Sequence, residues 1–266
     1  MTDLLLGAAL GLIICLLSYK ARFLTLSGAI AAFVLAVIVF GFGGLKWSVP
    51  LLVFFFSSSL LSKIRKKINP EMELYFDKTG NRDYMQVISN GGLGGVLILV
   101  NLISPNEMLY LIYLSIFASA CADTWATEIG TLRKTNTYNI LSLKKIDQGV
   151  SGGISVSGSL GALLGAAVIS FSSFTWMPVP KLVLFFVVMI CGFCGSFIDS
   201  LLGASVQLRY KCTVCGKFTE RTIHCGHDAG YFKGIKWVSN DVVNLVSGLA
   251  GGLLNWIIIE ILLKTL

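Results

Sequence analysis

Apolar stretches recur along the whole chain and are separated by polar or basic connections. A helix needs about 20 mostly apolar residues to cross the hydrocarbon core of a bilayer. Eight stretches approach or exceed this length, so the pattern predicts an all-α membrane bundle of about eight transmembrane helices. Their ranges are 3–19, 24–45, 47–62, 87–104, 108–130, 150–174, 182–208 and 241–263.

Composition excludes a soluble domain. Hydrophobic residues make up 55% of the chain and charged residues only 13%, whereas soluble proteins carry about 25% charged residues. The 28 glycines suit helices that approach one another closely in lipid. The first stretch lacks a basic leader and a small-residue cleavage site, so we expect it to remain as a helix. We therefore predict a single integral-membrane domain over residues 1–266.

Basic residues predict the orientation of this bundle. Of the 21 Lys and Arg residues, 18 lie in alternate connections on one side of the eight-helix layout. Cytoplasmic loops collect Lys and Arg, so we predict a multi-pass protein of the cell membrane with both termini outside and the long basic loops in the cytoplasm. This placement accounts for the net charge of +7 without a nucleic-acid partner.

Polar residues cluster toward the predicted cytoplasmic ends of several helices. A charged residue near the middle of a membrane helix costs about 2.5–3.5 kcal/mol, so such residues usually face a cavity or a partner. In ADTWATEIG, Asp123 and Thr127 share one helix face, and Thr124 and Glu128 share a neighbouring one. Asp199 lies on a glycine stripe of the seventh helix. The other polar residues of this kind are Arg82, Gln86, Asn90, Ser200, Gln207, Asn240, Asp241 and Asn244.

Clustered carboxylates favour an ion pathway or a metal site over purely structural contacts between helices. A hydroxyl follows each aspartate, at Thr124 and Ser200, and basic loops lie nearby. Oxygen ligands of this kind bind Mg²⁺, and Lys and Arg neutralise phosphates. The Ser151-Gly152-Gly153 segment either presents backbone N–H groups to a phosphate or simply begins a helix.

Cysteine spacing predicts a structural zinc site in the last loop, residues 209–236. Four of the seven cysteines lie inside predicted helices and act as small apolar side chains. The others belong to CTVCGKFTERTIHCGH, which resembles the two ligand pairs of a zinc knuckle. A redox C-x-x-C or free thiols are the alternatives. The predicted zinc ligands are Cys212, Cys215, Cys225 and His227, with His224 as a substitute for His227.

These motifs resemble the integral-membrane family that includes plant phytyl-phosphate kinase and animal transmembrane protein 19. The resemblance covers most of the chain and rests on SGAIAAFVLAV, FFFSSSLLSK, NRDYMQVISNGG, ADTWATEIG, GSFIDSLLGASVQ and NDVVN, in that order. It implies a kinase that converts an isoprenoid monophosphate, such as phytyl or geranylgeranyl phosphate, into the diphosphate. Analogy with the related phytol and dolichol kinases implies CTP as the nucleoside triphosphate.

The polar residues are compatible with this chemistry, in which catalysis depends on positioning and charge neutralisation. A cation- or proton-coupled transporter and a lipid-phosphate cytidylyltransferase are the alternative functions; clustering near one membrane face favours an interfacial enzyme over the transporter. We assign Lys78 and Arg82 to phosphate binding. Substrate orientation is assigned to Asn90, Gln207, Asn240 and Asn244. The other predicted substrate-binding residues are Gln86, Thr124 and Ser200. The predicted Mg²⁺ ligands are Asp123, Glu128, Asp199 and Asp241.

Overall fold

The computed structural model describes residues 2–78 and 80–265 as a bundle of nine α-helical elements with short strands at one end. A π-helical turn joins α2 to α3 at Val39–Gly43 and another joins α4 to α5 at Ile88–Gly92. Short 3₁₀ helices span Pro70–Leu74 and Phe174–Trp176. The helices are α1 Thr2–Lys20, α2 Leu26–Ile38, α3 Gly44–Ile68, α4 Tyr84–Val87, α5 Leu93–Ile103, α6 Glu107–Gly130, α7 Val156–Ser172, α8 Lys181–Ser205 and α9 Asn240–Thr265.

Five helical segments among the described residues are long and apolar enough to cross a membrane, as a multi-pass membrane protein requires. They are Leu26–Ile68, Tyr84–Ile103, Glu107–Gly130, Lys181–Ser205 and Asn240–Lys264. The predicted first and sixth helices correspond to the shorter apolar segments Leu4–Lys20 and Val156–Ser172. The predicted second and third helices fall in one uninterrupted helical run. The predicted count of eight spans is therefore not confirmed.

The chain reverses direction inside the long run Leu26–Ile68. Gly44 has a φ of +64°, a left-handed conformation that glycine adopts without steric cost. The Lys63 ammonium donates to the Ala21 carbonyl, and the rings of Phe23 and Phe55 lie 6.2 Å apart. Residues just before α2 thus contact the second half of α3, so α2 and α3 form an antiparallel hairpin.

Helix α6 is the centre of the bundle and contacts α3, α7, α8 and α9. Its middle, from Tyr110 to Ala122, is almost entirely buried. Glycines make this possible: a Cβ added at Gly192 of α8 would lie 2.4 Å from the Ala118 side chain. Close backbone approach of this kind is how membrane helices gain van der Waals contact. It agrees with the close helix packing that the glycine content predicts.

Three small β-structures cover the end of the bundle at which α3, α6 and α8 finish and α4, α7 and α9 begin. The first sheet has the order β2-β1-β3 and the second the order β5-β4-β8, while β6 and β7 form a separate pair. All the pairings are antiparallel. The strands are β1 Thr137–Asn139, β2 Lys145–Ile146, β3 Gly153–Ile154, β4 Arg209–Lys211, β5 Phe218–Thr219, β6 Ile223–His224, β7 His227–Asp228 and β8 Gly230–Lys233.

The Ser151-Gly152-Gly153 segment does not begin a helix. It belongs to the loop that enters β3, and α7 begins at Val156 after the N-cap residue Ser155. The Ser155 Oγ accepts a hydrogen bond from the Gly158 N–H at 3.1 Å, which is the usual way a side chain satisfies a free N–H at a helix start. The predicted start of the sixth helix at 150 is thus six residues early.

Candidate active site

A polar cavity of about 240 Å³ lies at the end of the bundle that the strands cover. Side chains from α3, α6, α8 and α9 line it, together with the segment before α4 and the loop before α7. The structure brings all the residues predicted for magnesium and substrate binding to this cavity. They are Lys78, Arg82, Gln86, Asn90, Asp123, Thr124, Glu128, Ser151, Gly152, Gly153, Asp199, Ser200, Gln207, Asn240, Asp241 and Asn244.

Asp123 of α6 and Asp199 of α8 both line the cavity, and their carboxyl groups are neighbours. Asp199 is buried, and its Oδ2 accepts a hydrogen bond from the Ser247 Oγ at 3.1 Å. Among the described residues, neither aspartate forms an ion pair with Lys or Arg. Two buried carboxylates in contact need a cation or a shared proton, so this pair suits a hard metal ion.

Glu220 and Asp77 are further carboxylates in the lining of the cavity that were missed in the sequence, and the charge of Glu220 acts on both aspartates of the pair. Glu220 follows β5 in the cysteine-rich loop, and its Oε1 accepts hydrogen bonds from the Ser151 Oγ at 2.6 Å and the Gln207 Nε2 at 2.7 Å. Burial raises the pKa of Glu220, while the hydrogen bonds from Ser151 and Gln207 oppose this effect. The sequence offered only a weak signal, namely an acidic residue in an otherwise basic loop.

Glu128 has protein partners at both carboxylate oxygens. The Arg65 Nε donates to one oxygen at 2.8 Å, and the Ser62 Oγ donates to the other at 2.6 Å. Arg65 is itself buried and forms a second ion pair with Glu73 at 2.5 Å. In the structure Glu128 therefore neutralises a buried arginine of α3, and its predicted role as a Mg²⁺ ligand stays a prediction.

Lys78 and Asp241, predicted to bind phosphate and magnesium, form an ion pair with one another in the structure. The Lys78 ammonium contacts the Asp241 carboxylate and also lies 2.8 Å from the Asp83 Oδ2. Burial lowers the pKa of Lys78, but the contacts with Asp241 and Asp83 outweigh it and leave the pKa raised. Because this lysine joins the start of α9 to the segment before α4, the pair closes one wall of the cavity.

Arg82 is the basic residue with the most freedom to receive an anion. Its backbone is fixed by the Thr25 N–H to Arg82 carbonyl bond at 3.0 Å and the Arg82 N–H to Phe23 carbonyl bond at 2.9 Å. Its guanidinium forms no ion pair or side-chain hydrogen bond with the described residues and lies over the Phe54 ring at 4.9 Å. Burial lowers the pKa of Arg82 to about 10, so it stays charged at neutral pH.

The predicted substrate-binding amides differ in their availability. The Gln86 Oε1 accepts a hydrogen bond from the Asp83 N–H at 3.2 Å as part of a helix-capping box. The amide oxygen of Gln86 is therefore not available to a substrate. The Asn90 Nδ2 donates to the Gln86 carbonyl at 2.9 Å, which leaves its oxygen to face the cavity. The buried Oδ1 of Asn244 has no hydrogen-bond partner among the described residues. An unsatisfied buried acceptor costs about 1–3 kcal/mol and indicates a place for a ligand donor.

The cysteine-rich loop brings four metal-ligating residues together, and the histidine is His224 instead of His227. The ligand atoms of Cys212, Cys215, His224 and Cys225 all lie within 4.8 Å of one another. His227 is exposed, and its ring nitrogen lies 3.0 Å from the Cys225 carbonyl. His224 is buried and its ring nitrogen lies against the cysteine sulfurs, whereas the ring nitrogen of the exposed His227 lies against a backbone carbonyl.

The geometry of this cluster fits zinc. Tetrahedral zinc with bonds of about 2.0–2.3 Å separates its ligand atoms by about 3.3–3.8 Å. The His224 Nδ1 lies 3.6 Å from the Cys215 sulfur and 3.2 Å from the Cys225 sulfur. The backbone N–H groups of Cys215 and Val214 donate to the Cys212 sulfur at 3.4 Å each. The bond from Cys215 is the main cause that lowers the pKa of the Cys212 thiol to about 6.

The sequence that forms this membrane bundle and its carboxylate-lined cavity has relatives among known proteins. Residues 9–252 match the family described as Integral membrane protein DUF92. The chain belongs to this family, which confirms the family resemblance of its motifs.

Three relatives indicate how widely this sequence pattern occurs. Protein PGR of Arabidopsis thaliana is 29% identical over 92% of this chain and 92% of its own length. An uncharacterized membrane protein of Methanocaldococcus jannaschii is 29% identical over 93% of this chain and 92% of its own. The chloroplastic protein VTE6 of Arabidopsis thaliana is 22% identical over 84% of this chain and 62% of its own. No solved structure matches the chain.

Proposed function

We propose that this protein is a Mg²⁺-dependent membrane kinase that transfers a phosphoryl group from a nucleoside triphosphate to an isoprenoid monophosphate. The observation that carries the proposal is the charge arrangement of the cavity. Asp123, Asp199 and Glu220 line it without an ion pair to Lys or Arg among the described residues, and the unpaired Arg82 lines the same cavity. A metal-binding carboxylate cluster and a free guanidinium are the groups that phosphoryl transfer needs.

The family resemblance supports the lipid acceptor. The resemblance of the motifs to those of plant phytyl-phosphate kinase implies an isoprenoid monophosphate as acceptor, and CTP is the donor that analogy favours. The position of the cavity is compatible with this choice, because it lies at one end of the helices, where a soluble nucleotide and a membrane-bound lipid can meet. The segregation of Lys and Arg supports placing this end in the cytoplasm.

The three carboxylates would hold Mg²⁺, which when bound would neutralise charge on the phosphates. Asp123 and Asp199 supply oxygen ligands from two packed helices, and Glu220 approaches from the loop. Arg82 binds the phosphate of one substrate, while the amide oxygens of Asn90 and Asn244 accept hydrogen bonds from hydroxyl or amino groups of the nucleotide. Asn240, Ser200 and Thr124 contribute further polar groups to the same wall.

The reaction needs no strong general base, because the attacking oxygen of a phosphate is already ionised at neutral pH. Both histidines of the chain, His224 and His227, lie in the cysteine-rich loop. Catalysis by positioning and electrostatic stabilisation therefore accounts for the residues that line the cavity.

We also propose a structural zinc ion bound by Cys212, Cys215, His224 and Cys225. Four protein ligands leave no open position for catalysis. The zinc site holds the loop that carries Glu220, and the Glu220 N–H donates to the Tyr75 carbonyl at 3.0 Å. Zinc thus acts on the cavity indirectly, by fixing the position of this carboxylate.

The test is transfer of label in nanodiscs containing the purified protein, Mg²⁺ and a panel of nucleoside triphosphates. Phytyl, geranylgeranyl and undecaprenyl phosphates serve as acceptors. Label from the γ-phosphate in a lipid diphosphate supports the kinase, whereas label from the α-phosphate indicates a cytidylyltransferase or another nucleotidyl transferase. Absence of transfer with every pair, from folded protein, would overturn the proposal and favour a transporter.

The metal site has its own test. Asp123→Asn and Asp199→Asn each remove one charged ligand with little change in shape, so transfer should fall about 10²-fold or more in proteins that remain folded. Full activity of both variants would contradict the metal site. Val34→Ala, a change at an exposed position of α2, is the matched control and should leave transfer unchanged.

A further inference from the structure

An apolar groove lies beside the polar cavity, between α1, the α2–α3 hairpin and the start of α4. Its enclosed volume is about 60 Å³, enough for a few methyl-sized groups, since a water-sized probe occupies about 10–15 Å³. The walls are apolar apart from Ser18 and the residues at one end. The groove is lined by Cys15, Leu24, Ala32, Leu35, Ala36, Phe40, Leu51 and Phe55, among others.

The groove and the cavity share a wall. Arg82, Gln86 and Asn90 line both, so the two spaces meet at these three residues. The guanidinium of Arg82, which has no ion pair among the described residues, stands at the junction. A single molecule could therefore place an anionic head in the polar cavity, next to Arg82, and an apolar tail in the groove.

The groove runs from this junction toward the middle of the helices. Leu24 and Ser18 lie at the end near Arg82, because the Arg82 backbone pairs with Phe23 and Thr25. Farther along, the lining residues proceed down α2 and its π-helical turn from Ala32 to Phe40, a rise of about 12 Å. This direction is the one that the tail of a lipid takes when its head is at the membrane surface.

One polar atom inside the groove also lacks a partner. Ser18 is 2% exposed, and its Oγ has no hydrogen-bond partner among the described residues. The position of Ser18 at the junction end places this hydroxyl near the head of an entering lipid. With Arg82 it gives the head end of the groove two groups that suit an oxyanion, while the other end is apolar.

We propose that the groove binds the first isoprene unit of the isoprenoid phosphate, with its phosphate at Arg82. This inference rests on the proposed acceptor. The small enclosed volume means that the protein contacts only the head-proximal part of the tail and that the rest lies in the bilayer. Binding therefore depends on the structure of the first unit and little on the total length of the chain.

The experiment uses geranylgeranyl monophosphate that carries a diazirine in its first isoprene unit, photolysed with the full-length protein in nanodiscs. Peptides of α2 and α3 should carry the label, and unlabelled geranyl, geranylgeranyl and undecaprenyl phosphates should compete at similar concentrations. Labelling confined to α8 and α9, or competition that rises steeply with chain length, would overturn the groove assignment. Equal competition by phosphatidic acid would indicate a general lipid groove and would also overturn it.

A matched pair of variants sharpens the result. Ala32→Phe fills the groove, and Val34→Phe adds the same ring to a position of α2 that is 57% exposed and lies outside the groove. Overfilling a packed space costs enough to weaken binding about tenfold, so labelling should fall by that factor in Ala32→Phe only. Equal labelling of the two variants would contradict the proposal, and the wild-type labelling map decides the matter if Ala32→Phe does not fold.

These outcomes separate the groove from the kinase. Labelling of α2 and α3 without any phosphoryl transfer would keep the groove and refute the proposed reaction. Transfer to the lipid with labelling elsewhere would keep the kinase and refute the groove.

Discussion

Glu220 should be needed both for the stability of the cavity wall and for its chemistry, and two substitutions separate these roles. Glu220→Gln keeps a side-chain oxygen for the Ser151 and Gln207 donors but removes the negative charge. Glu220→Ala removes the charge and both hydrogen bonds. Both changes leave the four zinc ligands in place, so the zinc content should be one per chain in either variant.

The expected loss of stability follows from the hydrogen bonds. The Ser151 Oγ and the Gln207 Nε2 donate to Glu220 at 2.6 and 2.7 Å, and Gln207 is only 1% exposed. A net hydrogen bond contributes about 0.5–1.5 kcal/mol, and an unsatisfied buried donor costs about 1–3 kcal/mol. Glu220→Ala should therefore lower the free energy of unfolding by about 2–4 kcal/mol, and Glu220→Gln by about 1 kcal/mol or less.

The expected loss of activity follows from the charge. If Glu220 binds the metal together with Asp123 and Asp199, the two variants should be similarly impaired, by about 10²-fold in label transfer. Raising the Mg²⁺ concentration should recover part of the activity of Glu220→Gln, because its cavity keeps its shape.

The assays are thermal unfolding in detergent and γ-label transfer with a Mg²⁺ titration. A loss of about 2–4 kcal/mol lowers Tm by roughly 5–15 °C in a protein of this size. Full activity of Glu220→Gln at ordinary Mg²⁺ concentrations would refute the assignment of Glu220 to the metal. Equal Tm values for the alanine and glutamine variants would refute the hydrogen-bond reasoning.

Three further predictions test the ion pair, the zinc ligands and the close loop contact. Glu128→Ala removes one of the two carboxylates paired with Arg65, while the ion pair with Glu73 remains, so thermal unfolding should show a loss of about 1–3 kcal/mol; a Tm equal to that of the wild type would contradict this role. His224→Ala should lose zinc in elemental analysis while His227→Ala keeps it, and the reverse result would restore the ligand set with His227. Gly152 has a φ of +78°, and a Cβ there would lie 2.5 Å from the Ala204 backbone nitrogen. Gly152→Ala should therefore lower the free energy of unfolding by about 3 kcal/mol. An unchanged Tm would contradict this and show that α8 can shift away from the added methyl group at little cost.

The residues of the cavity were largely predictable, but their partnerships were not. Asp123 and Asp199 stand out in the sequence because an acidic residue within an apolar helix is costly unless it has a function. Glu128 and Asp241 stand out for the same reason, yet Arg65 neutralises one and Lys78 the other. These partners are 63 and 163 residues away, so local sequence carries no sign of the pairing.

The sequence by itself determined the class of protein, because hydropathy is a local property and each apolar stretch must satisfy its own backbone hydrogen bonds in lipid. It also determined which polar residues enter the membrane bundle, and the cysteine spacing marked the loop in which Cys and His side chains come together. Only the tertiary structure decided that Arg65 and Lys78 pair with acidic residues of remote helices, that His224 faces the cysteines and that Glu220 lines the same cavity as the aspartates. Each of these features depends on distances between segments remote in sequence, and such distances are set by the packing of the whole bundle.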